Sequence, residues 1–456
     1  MRLKRESVLC FEWSKSSHKS EPKIVREHRE KYKRISEILD DNPAILDLAA
    51  ADLKSLSQGG KDGREATYTC ENLLRAAVVH TVEGESLRGT IVRIGDSPFL
   101  QDFLRLGNRT VMDHSFLDKA VKAIRPQTWQ LINEVLAGYA HQKGRIDPSA
   151  LRADTTVLET TIHYPTDSSL LWDSWRVLAR LLRQGRELAP GLCPHRFHDG
   201  LTKRAHLRIA RYARSQAKAR RRLVRNSFRE LIGRVRWIVG IAEGFCARSR
   251  LHWNMEVQAV GAEIEGFLSS IRVVISTSQR ANLEGETVPA CERVFSIFEP
   301  HTELIQRGKA AKPVEFGHVI LLAQTRDKFI SGYEVMEHRL PDQQLGAVSV
   351  ENHKRLFGQA PQVLAADKGF NPKEPERTAL EEKVGTLAIP RRLSDWAEVI
   401  GSAWQRFRAG IEGSISVLKR AYRLLRCPYR GFKSFEASVG MSIFCHNLVL
   451  LARGPT

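Results

Sequence analysis

The chain has 456 residues, of which 42% are hydrophobic and 27% charged, and its 71 Lys and Arg exceed its 52 Asp and Glu by 19. This length exceeds the roughly 100–200 residues of one ordinary domain, and the composition excludes an intrinsically disordered chain, so two or three folded units are expected. The positive charge, with a pI near 9.8, favours a polyanionic partner such as nucleic acid.

A membrane or secreted protein is not indicated. The longest mostly apolar stretch, residues 437–452, contains polar side chains and is shorter than the ~20 residues that span a bilayer, so we expect a buried helix and no membrane partner. The first residues, MRLKRESVLCFEW, lack the apolar segment of a secretory signal. Seven scattered cysteines without a CxxC pair favour a cytoplasmic protein with reduced thiols. The segment CPHRFH at 193–198 lacks the second paired half of a structural zinc site.

The chain begins with an arm at 1–65, which has a helix expected around 23–39 and no assigned function. Residues 66–146 then show the spacing of a cluster of short helices, with Gly84 ending the first and Ser86 capping the second. A third begins at Ser97-Pro98, and a longer one is expected over 110–124.

The helical cluster at 66–146 carries cations that could present a helix-turn-helix to DNA. They are Arg88, Arg93, Arg105, Arg109, Lys119 and Lys122. A plain helical scaffold with solvated charges explains the same pattern equally well, so an α-helical DNA-binding domain is one of two open interpretations.

A strand is expected at 151–162, where Val, Ile and several Thr favour a pleated surface. Helices follow over 170–268, and the next strand-like run is 271–277. We therefore expect residues 166–289 to form a mainly helical, basic insertion after the first strand.

The insertion contains the sharpest charge run of the chain, eleven cations and no acid between residues 203 and 229. Uncompensated cations on a helical segment repel one another unless an anion neutralises them, so the run is expected to contact DNA phosphates, although plain solvation is the alternative. The residues are Lys203, Arg204, Arg208, Arg211, Arg214, Lys218, Arg220, Arg221, Arg222, Arg225 and Arg229.

Strand signals return in the last part of the chain. A hairpin is expected from 317–325 and 329–336, followed by a helix at 348–357, strands at 363–366 and 385–389, and a closing helix from 404 to about 425. With the strand at 151–162, this order predicts an α/β fold whose mixed sheet is covered by helices on both faces, formed by residues 147–165 and 290–456.

Three acidic residues stand where propensity does not explain them. Asp154 lies inside an expected strand, where an acid is disfavoured. Asp367 directly follows the apolar VLAA, at the carboxyl end of a strand, where open α/β sheets bind ligands. Glu412 lies in the closing helix and shares a face with Arg408 and Lys419 at 3.6 residues per turn. An ordinary ion-pair role stays open for each acid taken alone.

Carboxylates brought together would suit phosphoryl transfer. Mg²⁺ prefers hard oxygen ligands and is usually held by one or two acidic side chains together with a substrate phosphate. Two such ions about 3.5–4 Å apart can clamp the attacking and leaving oxygens of an in-line displacement. Without metal, clustered carboxylates repel one another and tend to take up protons.

Four segments, LRADTTVLETTIHYPTDSSLLWD, HTELIQRGKAAKPVEFG, VLAADKGF and RFRAGIEGSISVLKRAYRLLRC, resemble the DDE-type transposases of bacterial insertion sequences, particularly the ISNCY group. The resemblance runs from about residue 72 to 452. It implies an RNase H-like domain in which Asp154, Asp367 and Glu412, on the first strand, the fourth strand and a late helix, are catalytic and hold two Mg²⁺ or Mn²⁺ ions.

The chain departs from those transposases in two ways. Their Tyr-x2-Arg-x3-Glu-x6-Lys signature is matched by Arg408, Glu412 and Lys419, which implies that Arg408 and Lys419 contact DNA, but Gln405 replaces the tyrosine. The helical insertion follows the first strand, whereas several relatives carry theirs just before the glutamate helix. The resemblance therefore does not extend to hairpin-handling chemistry.

The function that the resemblance implies is DNA strand cleavage and strand transfer at the ends of an insertion sequence. Its partners would be double-stranded DNA, as terminal inverted repeats and target, and a second copy of the chain, on the nucleoid of a bacterial cytoplasm. A non-catalytic DNA-binding regulator and a metal-dependent nuclease without strand transfer are the alternatives. The sequence contains no GxxxxGK[ST], GxGxxG or HExxH motif, so nucleotide hydrolysis, dinucleotide chemistry and zincin-type proteolysis have no support.

Overall fold

The computed structural model describes residues 2–6, 22–57, 66–306, 313–392, 395 and 399–453. Contacts between residues divide the chain into two compact units, 1–159 with 318–456, and 160–317. Each unit has its own core of buried apolar side chains. Parts of the expected arm (1, 7–21 and 58–65) and of the quoted HTELIQRGKAAKPVEFG segment (307–312) lie outside the described residues.

The helices follow the predicted order in most places. Those before the sheet are α1 (Lys23–Asp41), α2 (Pro43–Leu53), α3 (Cys70–Glu83), α4 (Leu87–Gly95), α5 (Pro98–Phe103), α6 (His114–Ala123) and α7 (Pro126–Gln142). Those after the first strand are α8 (Asp167–Leu188), α9 (Asp199–Tyr212), α10 (Lys218–Ser249) and α11 (Met255–Gln279). The last are α12 (Asp342–Phe357), α13 (Glu376–Lys383), α14 (Ser402–Ala421) and α15 (Phe432–Ala452).

Capping residues explain several helix limits. The Thr69 hydroxyl accepts from the Asn72 amide and starts α3, and Gly84, with φ of 66°, ends it. The expected helix over 110–124 is shorter, because the Asp113 carboxylate accepts from the Ser115 amide and α6 begins only at His114. The α1 and α2 helices, from the expected arm, pack into the core of the first unit.

The strands are β1 (Ala150–Thr160), β2 (Glu303–Gln306), β3 (Val314–Thr325), β4 (Ile330–Val335), β5 (Val363–Ala365), β6 (Thr386–Ala388) and β7 (Arg426–Cys427). They form a mixed sheet with the order β2-β3-β1-β5-β6, in which β4 also pairs with β3, and β7 with β1. The β1, β5 and β6 strands are parallel neighbours, and β4 runs antiparallel to β3 as the predicted hairpin. The chain therefore has the predicted α/β class, with β2 and β7 not foreseen.

The second unit is a packed group of helices, with α10 lying against α8, α9 and α11. The strand-like run 271–277 was interpreted wrongly, since it lies inside α11. Its β-branched residues suggested a strand, but Ile264, Leu268, Ile271 and Ile275 are buried at helical spacing against the other helices, and this packing overrides propensity.

The apolar segment near the end forms α15, which is a buried helix as predicted. By length and composition it is the one helix among the described residues that could cross a membrane, but 89% of its most apolar window is buried inside the protein. A core helix passes the same length and composition test, and α15 packs against α1, α3 and α7 in the core of the first unit.

Candidate active site

Asp154 lies in the middle of β1 and is half-buried. The Thr155 amide donates a hydrogen bond to its Oδ1 at 2.7 Å. Burial raises the pKa of this carboxyl; the Thr155 amide and Arg408 oppose the rise, whereas Asp367 and Glu412 add to it. The other two predicted acids therefore lie close enough to act electrostatically on Asp154.

Asp367 follows β5, the parallel neighbour of β1. Arg152 pairs with Ala365, the last residue of β5, and Asp154 and Asp367 each lie two residues further along their chains, so both acids follow the same end of this strand pair. The Asp367 carboxylate accepts from the Lys368 amide at 2.9 Å, which caps the short turn after the strand. Its side chain is 51% exposed, so a ligand can approach it.

Glu412 lies on α14 with 60% of its side chain exposed. One turn earlier, the guanidinium of Arg408 donates to the Glu412 carboxylate and lies 3.7 Å from Asp367 Oδ1. Arg408 thus contacts two of the three predicted acids, and its charge opposes the rise in the pKa of the third. Lys419 lies further along the same helix, half-buried, seven residues or about two turns beyond Glu412.

Two of the three acids contact the same cation, Arg408, and the third is within its electrostatic reach. Among the residues that the structure describes, no group of three or more acidic, His or Cys side chains is placed to hold a metal ion. The donor set still suits a hard divalent cation: three carboxylates supply only oxygen, and their mutual repulsion is the kind that a metal relieves. Sharing an ion would require Arg408 to release at least one carboxylate.

Comparison with family models, curated proteins and solved structures found no match.

The basic run lies in the second unit, where α9 and α10 divide it. Ten of its eleven cations are exposed, and Arg208 is half-buried. Within the described ranges, only Arg208 is ion-paired, with Glu230. Arg211 and Arg214 line a cavity of about 880 Å³ whose wall also includes the exposed Tyr164 ring. The run therefore keeps nearly all of its positive charge available to an anion.

The cations of the helices at 66–146 are mostly neutralised within the first unit. Arg93 pairs with Glu83, Arg105 with Glu71 and Asp40, Arg109 with Glu6, and Lys122 with Asp118. Of the six cations, only Arg88 and Lys119 are exposed and have no acidic partner in the described part of the chain. This pairing favours the helical scaffold over a DNA-reading surface.

Cys193, in the segment at 193–198, and Arg152 are both buried in packed parts of the molecule. Cys193 is buried in the core of the second unit, and His195 and Phe197 pack against the Trp237 ring, so the segment at 193–198 serves packing. Arg152 lies two residues before Asp154 on β1, and the sequence alone gives it no role. In the structure it is a buried cation beneath α14, and no sequence pattern marks a charged residue in a strand as buried.

Proposed function

We propose that this chain is a DNA transposase of the DDE type, with an RNase H-like catalytic unit. The observation that carries the proposal is that Arg408 contacts both Asp367 and Glu412, while all three of these side chains act electrostatically on Asp154. Without the short β2 and β7, the strands follow one another along the chain as β1, β3, β4, β5 and β6, so that β1 is first and β5 fourth, and β4-β3-β1-β5-β6 is their order by pairing. Asp154 on β1, Asp367 just after β5 and Glu412 on α14 support the proposal, because the resemblance to insertion-sequence transposases implies acids on the first strand, the fourth strand and a late helix.

In the proposed site, the three carboxylates would hold two Mg²⁺ or Mn²⁺ ions, which when bound would lower the pKa of the attacking water and stabilise the charge of the displaced oxygen. Asp154 and Asp367 approach from neighbouring strands, and Glu412 from α14. Arg408 and Lys419 would contact the DNA phosphates beside the scissile bond, with Arg408 exchanging a carboxylate for a phosphate. A water hydrolyses the strand to leave a 3′-OH, which then displaces a target 3′ oxygen to form a new phosphodiester.

DNA binding is assigned mainly to the second unit. The ten unpaired cations of α9, α10 and the turn between them would follow the phosphate backbone of double-stranded DNA, as terminal inverted repeats or as target. Recognition by the helices at 66–146 would depend on Arg88 and Lys119. Because two DNA ends must be held together, a homodimer on DNA is part of the proposal, as is a cytoplasmic, nucleoid-associated location.

The proposal is tested by incubating the protein with labelled DNA that flanks its own gene, in the presence of Mg²⁺ or Mn²⁺. Nicked and joined products are expected with the wild type. Neither is expected with Asp154→Asn, Asp367→Asn or Glu412→Gln, each of which should bind the same DNA almost as well as the wild type. Cleavage at the wild-type rate by any of the three variants would remove that residue from the site.

A non-catalytic DNA-binding regulator is the second candidate, and the Arg408 contacts favour it. An arginine that neutralises Asp367 and Glu412 is a complete structural explanation for two of the acids. This candidate predicts binding to DNA with no cleavage in any divalent ion. A nuclease without strand transfer would give nicked products and no joined ones.

A further inference from the structure

Arg152 is a charged side chain buried inside the first unit. It is 4% exposed and lies on β1 two residues before Asp154, so the two side chains leave the strand on the same face. Its Nε donates to Gln324 Oε1 on β3 at 2.7 Å, and its Nη1 donates to the Phe407 carbonyl on α14, also at 2.7 Å. The guanidinium also lies over the Phe407 ring, 4.9 Å from its centre. Arg152 therefore joins the middle of the sheet to the first turns of α14.

Arg152 is not stabilised as buried cations usually are. No acidic side chain pairs with it in the described ranges, and its Nη2 is buried without a hydrogen-bond partner. Burial lowers the pKa of Arg152 to about 10. An apolar side chain of similar volume often serves stability as well as a buried charge does. The buried charge of Arg152 therefore indicates a role other than stability.

Gly410 shows how closely α14 approaches this cation. A Cβ at position 410 would lie 2.2 Å from Arg152 Nη1 and 3.0 Å from its Cζ, so any larger residue would displace either the guanidinium or the helix. Gly410 lies between Arg408 and Glu412, the two residues of α14 that contact each other beside Asp367. The contact is thus made at the segment of the helix that carries the candidate chemistry.

We infer that Arg152 is a positioning residue, which through Phe407 and Gly410 fixes the axial and rotational placement of α14 and so holds Glu412 and Arg408 opposite Asp154. That this placement serves catalysis rests on the proposed function, whereas the placement of α14 itself rests on the contacts alone. A slip of one residue along a helix moves each side chain by about 1.5 Å and turns it by about 100°. Displacements of about 1 Å can reduce catalysis on the order of 100-fold.

The structural part is tested with a double-mutant cycle on the full chain. Arg152→Met removes Cζ and both terminal nitrogens, so Gly410→Ala should lower the unfolding midpoint in the wild type and have little effect in the Arg152→Met background. Gly413→Ala is the matched control on α14, since a Cβ there meets nothing within 4 Å. Strictly additive effects of the two substitutions would overturn the inference. If Arg152→Met does not fold, Arg152→Gln takes its place in the cycle.

The catalytic part is tested by DNA cleavage with Mg²⁺. Arg152→Met and Gly410→Ala should each lower kcat about 100-fold and leave KM for DNA near its wild-type value, while Gly413→Ala keeps the wild-type kcat. Arg152→Lys should recover little, because an ammonium cannot reach Gln324 and Phe407 as a fork. Wild-type kcat in Arg152→Met or in Gly410→Ala would overturn the positioning role. A wild-type protein that cleaves no DNA would overturn the proposed function, and the unfolding cycle would still decide whether Arg152 holds α14.

Discussion

Replacing Lys218, Arg222 and Arg229 with glutamine is expected to weaken binding to double-stranded DNA and to flatten its salt dependence. Because α10 is one continuous helix, these three residues lie within about 40° of one another on one face. All three are exposed, and none has an acidic partner among the described residues. The side chains can therefore meet phosphates, and their loss should cost the fold little stability, since the one hydrogen bond described for them, from Arg229 Nη1 to Asn226 at 3.0 Å, is exposed.

The magnitude follows from counterion release. Each phosphate contact contributes about 0.9 to the slope of log K against log salt, so three lost contacts should make the slope shallower by about 2.7. Between 50 and 200 mM salt, the wild type should lose about 40-fold more affinity than the variant. Fluorescence anisotropy of a labelled duplex, measured across this range of salt, gives both slopes.

A matched control removes the same net charge from paired arginines of the second unit. Arg176, Arg250 and Arg272 are exposed but ion-paired with Asp173, Glu265 and Glu243. Their replacement by glutamine should change the slope much less. An unchanged slope in the α10 variant, or an equal change in the control, would refute phosphate contact by this face and leave the run as a solvated surface.

Three further predictions concern the first unit. Mn²⁺ at about 100 times its Kd should stabilise the wild type against thermal unfolding by about 2.7 kcal/mol and leave Asp367→Asn unaffected; equal stabilisation of both would place the ion elsewhere. Because the pKa of Asp154 is raised in the folded state, its contribution to stability is present at low pH and lost as pH rises through that pKa. In urea unfolding, Asp154→Asn should therefore be more stable than the wild type by a margin that grows with pH and vanishes toward acid. A margin that does not change with pH would contradict this. Gly440→Ala on α15 should lower the free energy of unfolding by about 1–3 kcal/mol in the same urea experiment, because the new Cβ would lie 2.6 Å from Trp129 Cβ. The control is Gly138→Ala on α7, where a Cβ meets nothing within 4 Å, and it should be neutral or stabilising.

The elements of the sheet were predictable because their signals are local. Alternating polar and apolar residues predict the hairpin β3–β4, a short apolar run before Asp367 predicts β5, and helical spacing predicts α14. The run 271–277 misled because β-branched composition is a weaker constraint than packing among four helices. The short β2 and β7 have only four and two residues, too few for a periodic pattern.

The candidate site was predictable in its parts and not in its contacts. An acid in a strand and an acid directly after a strand are visible in one sequence, and the parallel pairing of β1 with β5 brings both to the same end of the strand pair. The role of Arg408 between Asp367 and Glu412, and the burial of Arg152 against Gly410, depend on how α14 packs on the sheet. The contacts of Arg408 with Asp367 and of Arg152 with Gly410 join residues more than 40 positions apart, and no spacing rule predicts them.

The burial of α15 has a consequence for synthesis. The helix packs against α1, α3 and α7, the Phe444 ring lies 5.7 Å from the Trp129 ring, and the Asn447 side chain bonds both the amide and the carbonyl of Ile330. Until the ribosome has translated α15, the helices α1, α3 and α7 lack the helix against which their apolar faces pack. An mRNA truncated before the codon of Phe432 would therefore yield a polypeptide with exposed apolar surface. Such a polypeptide would be bound by chaperones and degraded by proteases, and would not act as a shortened DNA-binding protein.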